Sequence, residues 1–135
     1  MRHAPHADEL PRNLLALLSV TRTGVGLVAY LAPATGAALL GTDSATAARM
    51  VWATRAFAGR DFAVALLGLA AVRAGTTPEL KVAALTGALC DGGDALTFLL
   101  AVRSGQVGRV RGNLLVVSST AAAATGVLAA RVAAR

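Results

Sequence analysis

The chain has 135 residues, a formal net charge of +6 and 56% hydrophobic residues. Soluble domains use roughly 45–50% apolar and about 25% charged residues, whereas only 15% of the residues here are charged. A soluble domain of this size has too little interior to bury so much aliphatic surface. The basic residues do not cluster, and aromatic residues make up only 4%, which argues against nucleic-acid binding.

Four apolar segments follow one another along the chain. They cover about residues 14–33, 47–72, 80–103 and 113–132. Each reaches roughly the 20 residues that a helix needs to cross a hydrocarbon core, and none alternates as a half-buried strand does. The sequence therefore predicts an all-α fold, a four-helix transmembrane bundle over residues 13–135 that follows a disordered tail over residues 1–12.

Four spans place both termini on the same side of the membrane. Six basic residues would lie on that side and four on the other: Arg2, Arg12, Arg73, Lys81, Arg131 and Arg135 against Arg49, Arg103, Arg109 and Arg111. Because positive residues are more frequent in cytoplasmic loops, this difference favours cytoplasmic termini in a multi-pass protein of the cell membrane. Membrane lipid is the first predicted partner.

Charged residues interrupt three of the predicted spans. They are Arg22 in the first, Arg55, Arg60 and Asp61 in the second, and Asp91 and Asp94 in the third. A charge at the bilayer centre costs about 2.5–3.5 kcal/mol on insertion scales, so such residues usually face the interior of a bundle and pair there. These six residues are the candidate polar interior.

The depth of these residues predicts which of them pair. A helix rises about 1.5 Å per residue, which places Arg60 and Asp94 roughly 11 and 12 Å below the same membrane surface. Arg22 and Asp91 lie at roughly 18 and 16 Å. Asp91 and Asp94 are three residues apart and share one helix face. We expect this face to meet Arg60 and Arg22 inside the bundle.

The second helix does not present all its charges to one core. At about 100° per residue, Arg55, Arg60 and Asp61 point in three directions. Arg55 is nearer the surface, where its long side chain can reach the headgroups. Asp61 is left with two candidate partners, a residue of another helix or a residue of a second subunit in a homo-oligomer.

Three functional interpretations follow from this charged set. In the first, a small integral membrane protein has a charged Arg/Asp cluster inside its bundle, which either only holds the helices in register or also binds a lipophilic small molecule. In the second, a membrane-embedded isomerase or cyclase uses Asp91 and Asp94 as acid and base, and Arg22 and Arg60 stabilise developing negative charge. In the third, the chain is a soluble Ala-rich helical bundle.

Motifs for metals, nucleotides and cofactors are absent from the sequence. No HExxH pattern, no Cys or His pair within a span and no phosphate-binding loop occurs. The single Cys90 excludes an internal disulfide. The sequence therefore predicts no metal site and no cofactor.

The order of motifs resembles a known group of membrane proteins. Leu31-Ala32-Pro33 ends the first helix, Arg55-Ala56-Phe57-Ala58-Gly59-Arg60-Asp61 lies in the second, and Asp91 and Asp94 form an Asp-x-x-Asp motif in the third. This order is similar to that of the small four-helix actinobacterial membrane proteins of the DUF4267 and DUF4345 type, which are distantly DoxX-like. The resemblance implies a four-helix membrane bundle and supplies no activity. DoxX relatives are associated with quinone-linked oxidation, but no ligand set for an electron-transfer cofactor occurs here.

Overall fold

The computed structural model describes residues 9–39 and 42–133, which are almost entirely helical. The helices are α1 (Glu9–Leu31), α2 (Pro33–Leu39), α3 (Ser44–Arg49), α4 (Val51–Ala74), α5 (Thr77–Arg103) and α6 (Arg109–Val132). No strand occurs within these two ranges. The all-α prediction is therefore confirmed.

The first helix begins earlier than the sequence predicts. α1 starts at Glu9, ahead of the predicted boundary at residue 13. Pro11 lies in its first turn, where the missing amide hydrogen leaves no helical hydrogen bond unmade. The acidic Glu9 faces the positive end of the helix dipole. The rest of the predicted tail, residues 1–8, lies outside the described residues.

The predicted second helix is divided into α3 and α4. Met50 separates them with φ −95° and ψ 7°, and its amide donates to the carbonyls of both Thr46 and Ala47, which tightens the turn. Asp43 caps α3 by accepting from the amides of Ala45 and Thr46. The Thr46 hydroxyl, and then its amide, lower the pKa of the Asp43 carboxyl below its ordinary value.

The four long helices pack through narrow stripes of small and polar residues. α1 lies against α4 and α5 against α6, while further contacts join α1 to α6 and α4 to α5. On α4 the buried stripe consists of Thr54, Ala58, Asp61, Ala65 and Gly68, followed by Ala71. Small side chains let helix backbones approach closely, which is the usual way that helices pack in lipid.

Large apolar side chains face outward instead of filling the core. All but two of the buried hydrophobic residues in the described ranges are alanines, and the exceptions are Leu15 and Leu80. By contrast, Leu89 is 78% exposed and Leu66 is 67% exposed. Many exposed large apolar side chains are unusual for a water-soluble protein, whereas they are expected on a lipid-facing surface.

Three helices are long and apolar enough to cross a membrane: α1, α5 and α6. Only 22%, 11% and 17% of the residues in their most apolar stretches are buried within the protein, so most of this apolar surface is available to lipid. The fourth long helix, α4, has three charged residues in every stretch of 18. The described chain is thus compatible with a membrane protein.

Candidate functional site

Five of the six predicted interior charges form one ion-pair network that joins α1, α4 and α5. Its members are Arg22 on α1, Arg60 and Asp61 on α4, and Asp91 and Asp94 on α5. We call these five residues the Arg–Asp network. Arg22, Asp61 and Asp91 belong to the buried stripes of their helices, so the packing that brings these backbones together also brings the three charges together.

Arg22 ties three helices to one another. Its Nη1 atom donates to Oδ1 of Asp61 on α4 at 3.2 Å. Its Nη2 atom donates to the carbonyl oxygen of Gly87 on α5 at 3.1 Å and forms an ion pair with Oδ2 of Asp91. The residue is only 9% exposed. Its charge is therefore compensated by protein groups instead of water.

Arg60 and Asp94 form a two-bond ion pair between α4 and α5. Nη1 and Nη2 of Arg60 lie 2.8 and 2.7 Å from Oδ1 and Oδ2 of Asp94. Such parallel charge-assisted bonds are among the strongest in proteins. The guanidinium also lies 4.6 Å from the ring centre of Phe57, within the range of a cation–π contact.

Asp61 joins the two arginines into a single network. Its Oδ1 atom accepts from Nη1 of Arg22 at 3.2 Å and from Nη2 of Arg60 at 3.3 Å. No donor among the described residues bonds to its Oδ2 atom. Asp61 as a whole is only 4% exposed, but among the described residues the fully buried side-chain atoms without a hydrogen-bond partner are Nε of Arg60 and Oδ2 of Asp91.

The pairs predicted from depth, Arg60 with Asp94 and Arg22 with Asp91, are confirmed. Of the two partners left open for Asp61, the structure shows a residue of another helix, Arg22. The contacts of Asp61 with both arginines, which link the two pairs, were not predicted from the sequence.

A sequence signal for this link does exist. Asp61 continues the α4 stripe, three residues after Ala58, four before Ala65 and seven before Gly68. This 3-4-3 spacing places it on the face that packs against α1.

Arg55 is the predicted interior residue that the network does not include. It is exposed, and its guanidinium lies 5.9 Å from the ring centre of Tyr30 on α1. Its outward position agrees with the expectation that it reaches toward the headgroups.

A cavity of about 260 Å³ lies beside the Arg–Asp network and is lined by residues of α1, α4, α5 and α6. Four network members line it: Arg22, Asp61, Asp91 and Asp94. The hydroxyl-bearing residues Thr21, Ser118 and Ser119 complete its polar lining. Phe57, Phe98 and aliphatic residues form the remainder. The two carboxylates proposed as acid and base therefore both reach a cavity.

A second cavity, of about 350 Å³, adjoins the first. The two share Val25, Phe57 and Leu115 in their walls. Apart from Thr54, the second cavity is lined only by glycine and hydrophobic residues, and the Thr54 hydroxyl donates to the carbonyl of Met50. The two cavities thus lie side by side, the first with charged residues in its lining and the second almost wholly apolar.

The arrangement of possible metal ligands can be read from the same side chains. Within residues 9–39 and 42–133, no group of three or more His, Cys, Asp or Glu residues is placed to hold a metal ion. The three aspartates instead converge on guanidinium groups.

The Arg60–Asp94 pair gives a first testable prediction. Arg60→Gln and Asp94→Asn should each lower the free energy of unfolding, because each leaves a partly buried charge without its partner. The double variant should lose less free energy of unfolding than the two single variants lose together, with a coupling energy of about 1–3 kcal/mol. Unfolding in bicelles, followed by circular dichroism, measures all four proteins. Strictly additive losses would contradict a direct ion pair.

Comparison of the chain with protein-family models, curated proteins and solved structures gave no match.

Proposed function

We propose that this protein is a four-span membrane protein whose Arg–Asp network holds the helices around a cavity that binds a lipophilic small molecule. One observation carries the proposal. Charged side chains of the network line a cavity between the helices, while the large apolar side chains face outward. This distribution suits a protein with lipid outside and a polar binding site inside.

α4 is proposed as the fourth span despite its charges. Its 24 residues correspond to about 36 Å of helix, enough for a hydrocarbon core. Arg60 and Asp61 are paired with partners on α5 and α1, which offsets much of the cost of placing them in lipid. The exposed Arg55 lies within the first turns of α4, near one end of the span.

The proposed topology has both termini on one side. The main apolar cluster combines Leu15 of α1, Ala71 of α4, Leu80 of α5 and Ala130 of α6. These residues come from the beginning of α1 and α5 and from the end of α4 and α6. Such packing supports termini that share a side, and the distribution of basic residues favours the cytoplasmic side of the cell membrane.

The ligand proposal rests on the two adjoining cavities. An amphiphilic molecule would place its polar end against the network and its hydrocarbon part in the second cavity, where the lining is almost wholly apolar. Binding sites for small molecules commonly combine apolar walls with a few polar groups that fix orientation. We also propose that the chain is related to the small actinobacterial membrane proteins that it resembles, a relation that implies the four-helix bundle and no activity.

Thermal unfolding in phosphatidylcholine nanodiscs tests the proposal, with decylammonium, decanol and decanoate as probes. A ligand that binds only the folded state raises stability by about 2.7 kcal/mol at 100 times its Kd. At least one probe should stabilise the natural protein.

Two phenylalanine variants locate the binding in that experiment. Ala122 lines the first cavity, so Ala122→Phe should remove the stabilisation. Ala121→Phe is the matched control, because Ala121 lies on the same helix and is exposed. If no probe stabilises the natural protein more than Ala122→Phe, the cavity is not a binding site.

An acid–base enzyme is the second candidate, because Asp91 and Asp94 both line the cavity. Both oxygens of Asp94 already accept bonds from Arg60, so Asp91 is the better placed of the two to exchange a proton with a ligand. Mass spectrometry of bound molecules would favour this candidate if it found a lipophilic compound chemically converted by the natural protein but not by Asp91→Asn.

A further inference from the structure

The Arg–Asp network contains one more carboxyl group than guanidinium groups. Arg22 and Arg60 face Asp61, Asp91 and Asp94, so the fully ionised network has a formal charge of −1. α6 adds no compensating charge, since no charged residue occurs between Arg111 and Arg131. An uncompensated charge is costly in a low-dielectric interior, so a cationic group is favoured beside the network.

Carboxylate oxygens of the network that can accept a hydrogen bond lie at the cavity. Asp61 lines the cavity, and its side chain is 5% exposed. Both arginines bond to its Oδ1 atom, and none of the described residues donates to its Oδ2 atom. Asp91 lines the same cavity, and apart from its ion pair with Arg22 its buried Oδ2 atom has no hydrogen-bond partner among the described residues. Carboxylate oxygens with free capacity suit a hydrogen-bond donor, preferably a charged one.

The remaining walls of the cavity also suit a cation. Phe98 contributes an aromatic ring, and ring faces attract ammonium groups; the ring of Phe57 already contacts the guanidinium of Arg60. Ser118 and Ser119 supply hydroxyl oxygens that can accept further hydrogen bonds from such a group. An anionic head group would instead meet a site that already has an excess negative charge.

We infer that the cavity binds a lipophilic amine in its protonated form. The ammonium group lies against Asp61 and Asp91, and the hydrocarbon chain extends along Val25, Phe57 and Leu115, which line both cavities, toward the second cavity. This inference rests on the proposed ligand-binding function and specifies the chemistry of its ligand.

The test compares the affinities of decylammonium, decanol and decanoate for the protein in zwitterionic phosphatidylcholine nanodiscs. Nanodiscs that contain the Ala122→Phe variant measure the partition of each probe into lipid, and this background is subtracted. The natural protein should bind decylammonium at least tenfold more tightly than decanol, and decanoate most weakly. Equal or tighter binding of decanol or decanoate overturns the inference.

An aspartate variant tests whether the preference comes from the network charge. Asp61→Asn makes the ionised network neutral, so the preference for decylammonium over decanol should fall below threefold while decanol binding persists. Asp43→Asn makes the same chemical change at an exposed position far along the chain from the network, and it should retain the tenfold preference. A tenfold preference that survives in Asp61→Asn also overturns the inference.

Two further arms keep the outcome unambiguous. If Asp61→Asn does not fold, Asp91→Asn replaces it, because it makes the same charge change on α5. The comparison of the three probes on the natural protein tests the amine preference without either variant. If no probe distinguishes the natural protein from Ala122→Phe, the proposed binding function itself fails. If decanol binds in the cavity as tightly as decylammonium does, the proposed binding function stands and only the preference for an amine fails.

Discussion

Arg22→Gln is expected to lower the free energy of unfolding by about 3–5 kcal/mol, the usual cost of removing one partner from a buried ion pair. Arg22 contacts Asp61 and Asp91 and also donates to the Gly87 carbonyl. Its loss leaves two buried carboxylates close together with one fewer positive charge between them. Reversible unfolding in bicelles, monitored by circular dichroism, measures the change.

Arg55→Gln is the control for this prediction. Arg55 is exposed and stands outside the Arg–Asp network, so its replacement should change stability by no more than about 0.5 kcal/mol. Equal effects of Arg22→Gln and Arg55→Gln would show that the network does not hold α1, α4 and α5 together.

Gly126→Ala should have the second large effect, a loss of about 1–3 kcal/mol from overpacking. A Cβ atom at Gly126 would lie 2.8 Å from the backbone oxygen of Ala84 and 3.0 Å from Cβ of Ala88. The backbone oxygen cannot rotate away as a flexible side chain can, so α5 and α6 must separate. The free energy of unfolding in bicelles measures the loss.

Gly92→Ala is the matched substitution and should have the opposite sign. A Cβ atom at Gly92 would meet no atom within 4 Å, and alanine favours helix over glycine by up to about 1 kcal/mol. A loss of stability in Gly92→Ala as large as that in Gly126→Ala would mean that glycine matters in these helices for a reason other than close packing.

The pairing of charges could be predicted from the sequence because two physical constraints act together. The rise of a helix is fixed, so depth follows from residue number, and charges in lipid must find partners. Depth alone therefore identified Arg60 with Asp94 and Arg22 with Asp91. The contacts of Asp61 were harder to predict, because the neighbouring charges Arg55 and Arg60 do not indicate which way Asp61 points around α4. The small residues Ala58 and Ala65, which share its face, were the better guide.

Other features depend on packing that local sequence does not specify. Met50 divides the predicted second helix, yet methionine favours helix and no Gly or Pro marks a break there. The two cavities are set by distances between helices and by the sizes of side chains from four of them. No motif in a single segment encodes such a space.

We propose that lipid surrounds the outward-facing apolar side chains, so that the charges must pair inside the bundle. Spin labels in liposomes, introduced on a Cys90→Ala background, test this arrangement. A label at Leu89→Cys, where the side chain is 78% exposed on α5, should be relaxed by oxygen and shielded from a water-soluble nickel complex. A label at Gln106→Cys in the exposed loop between α5 and α6 should show the reverse. Equal access of the nickel complex to both labels would show that the exposed Leu89 side of α5 does not face lipid.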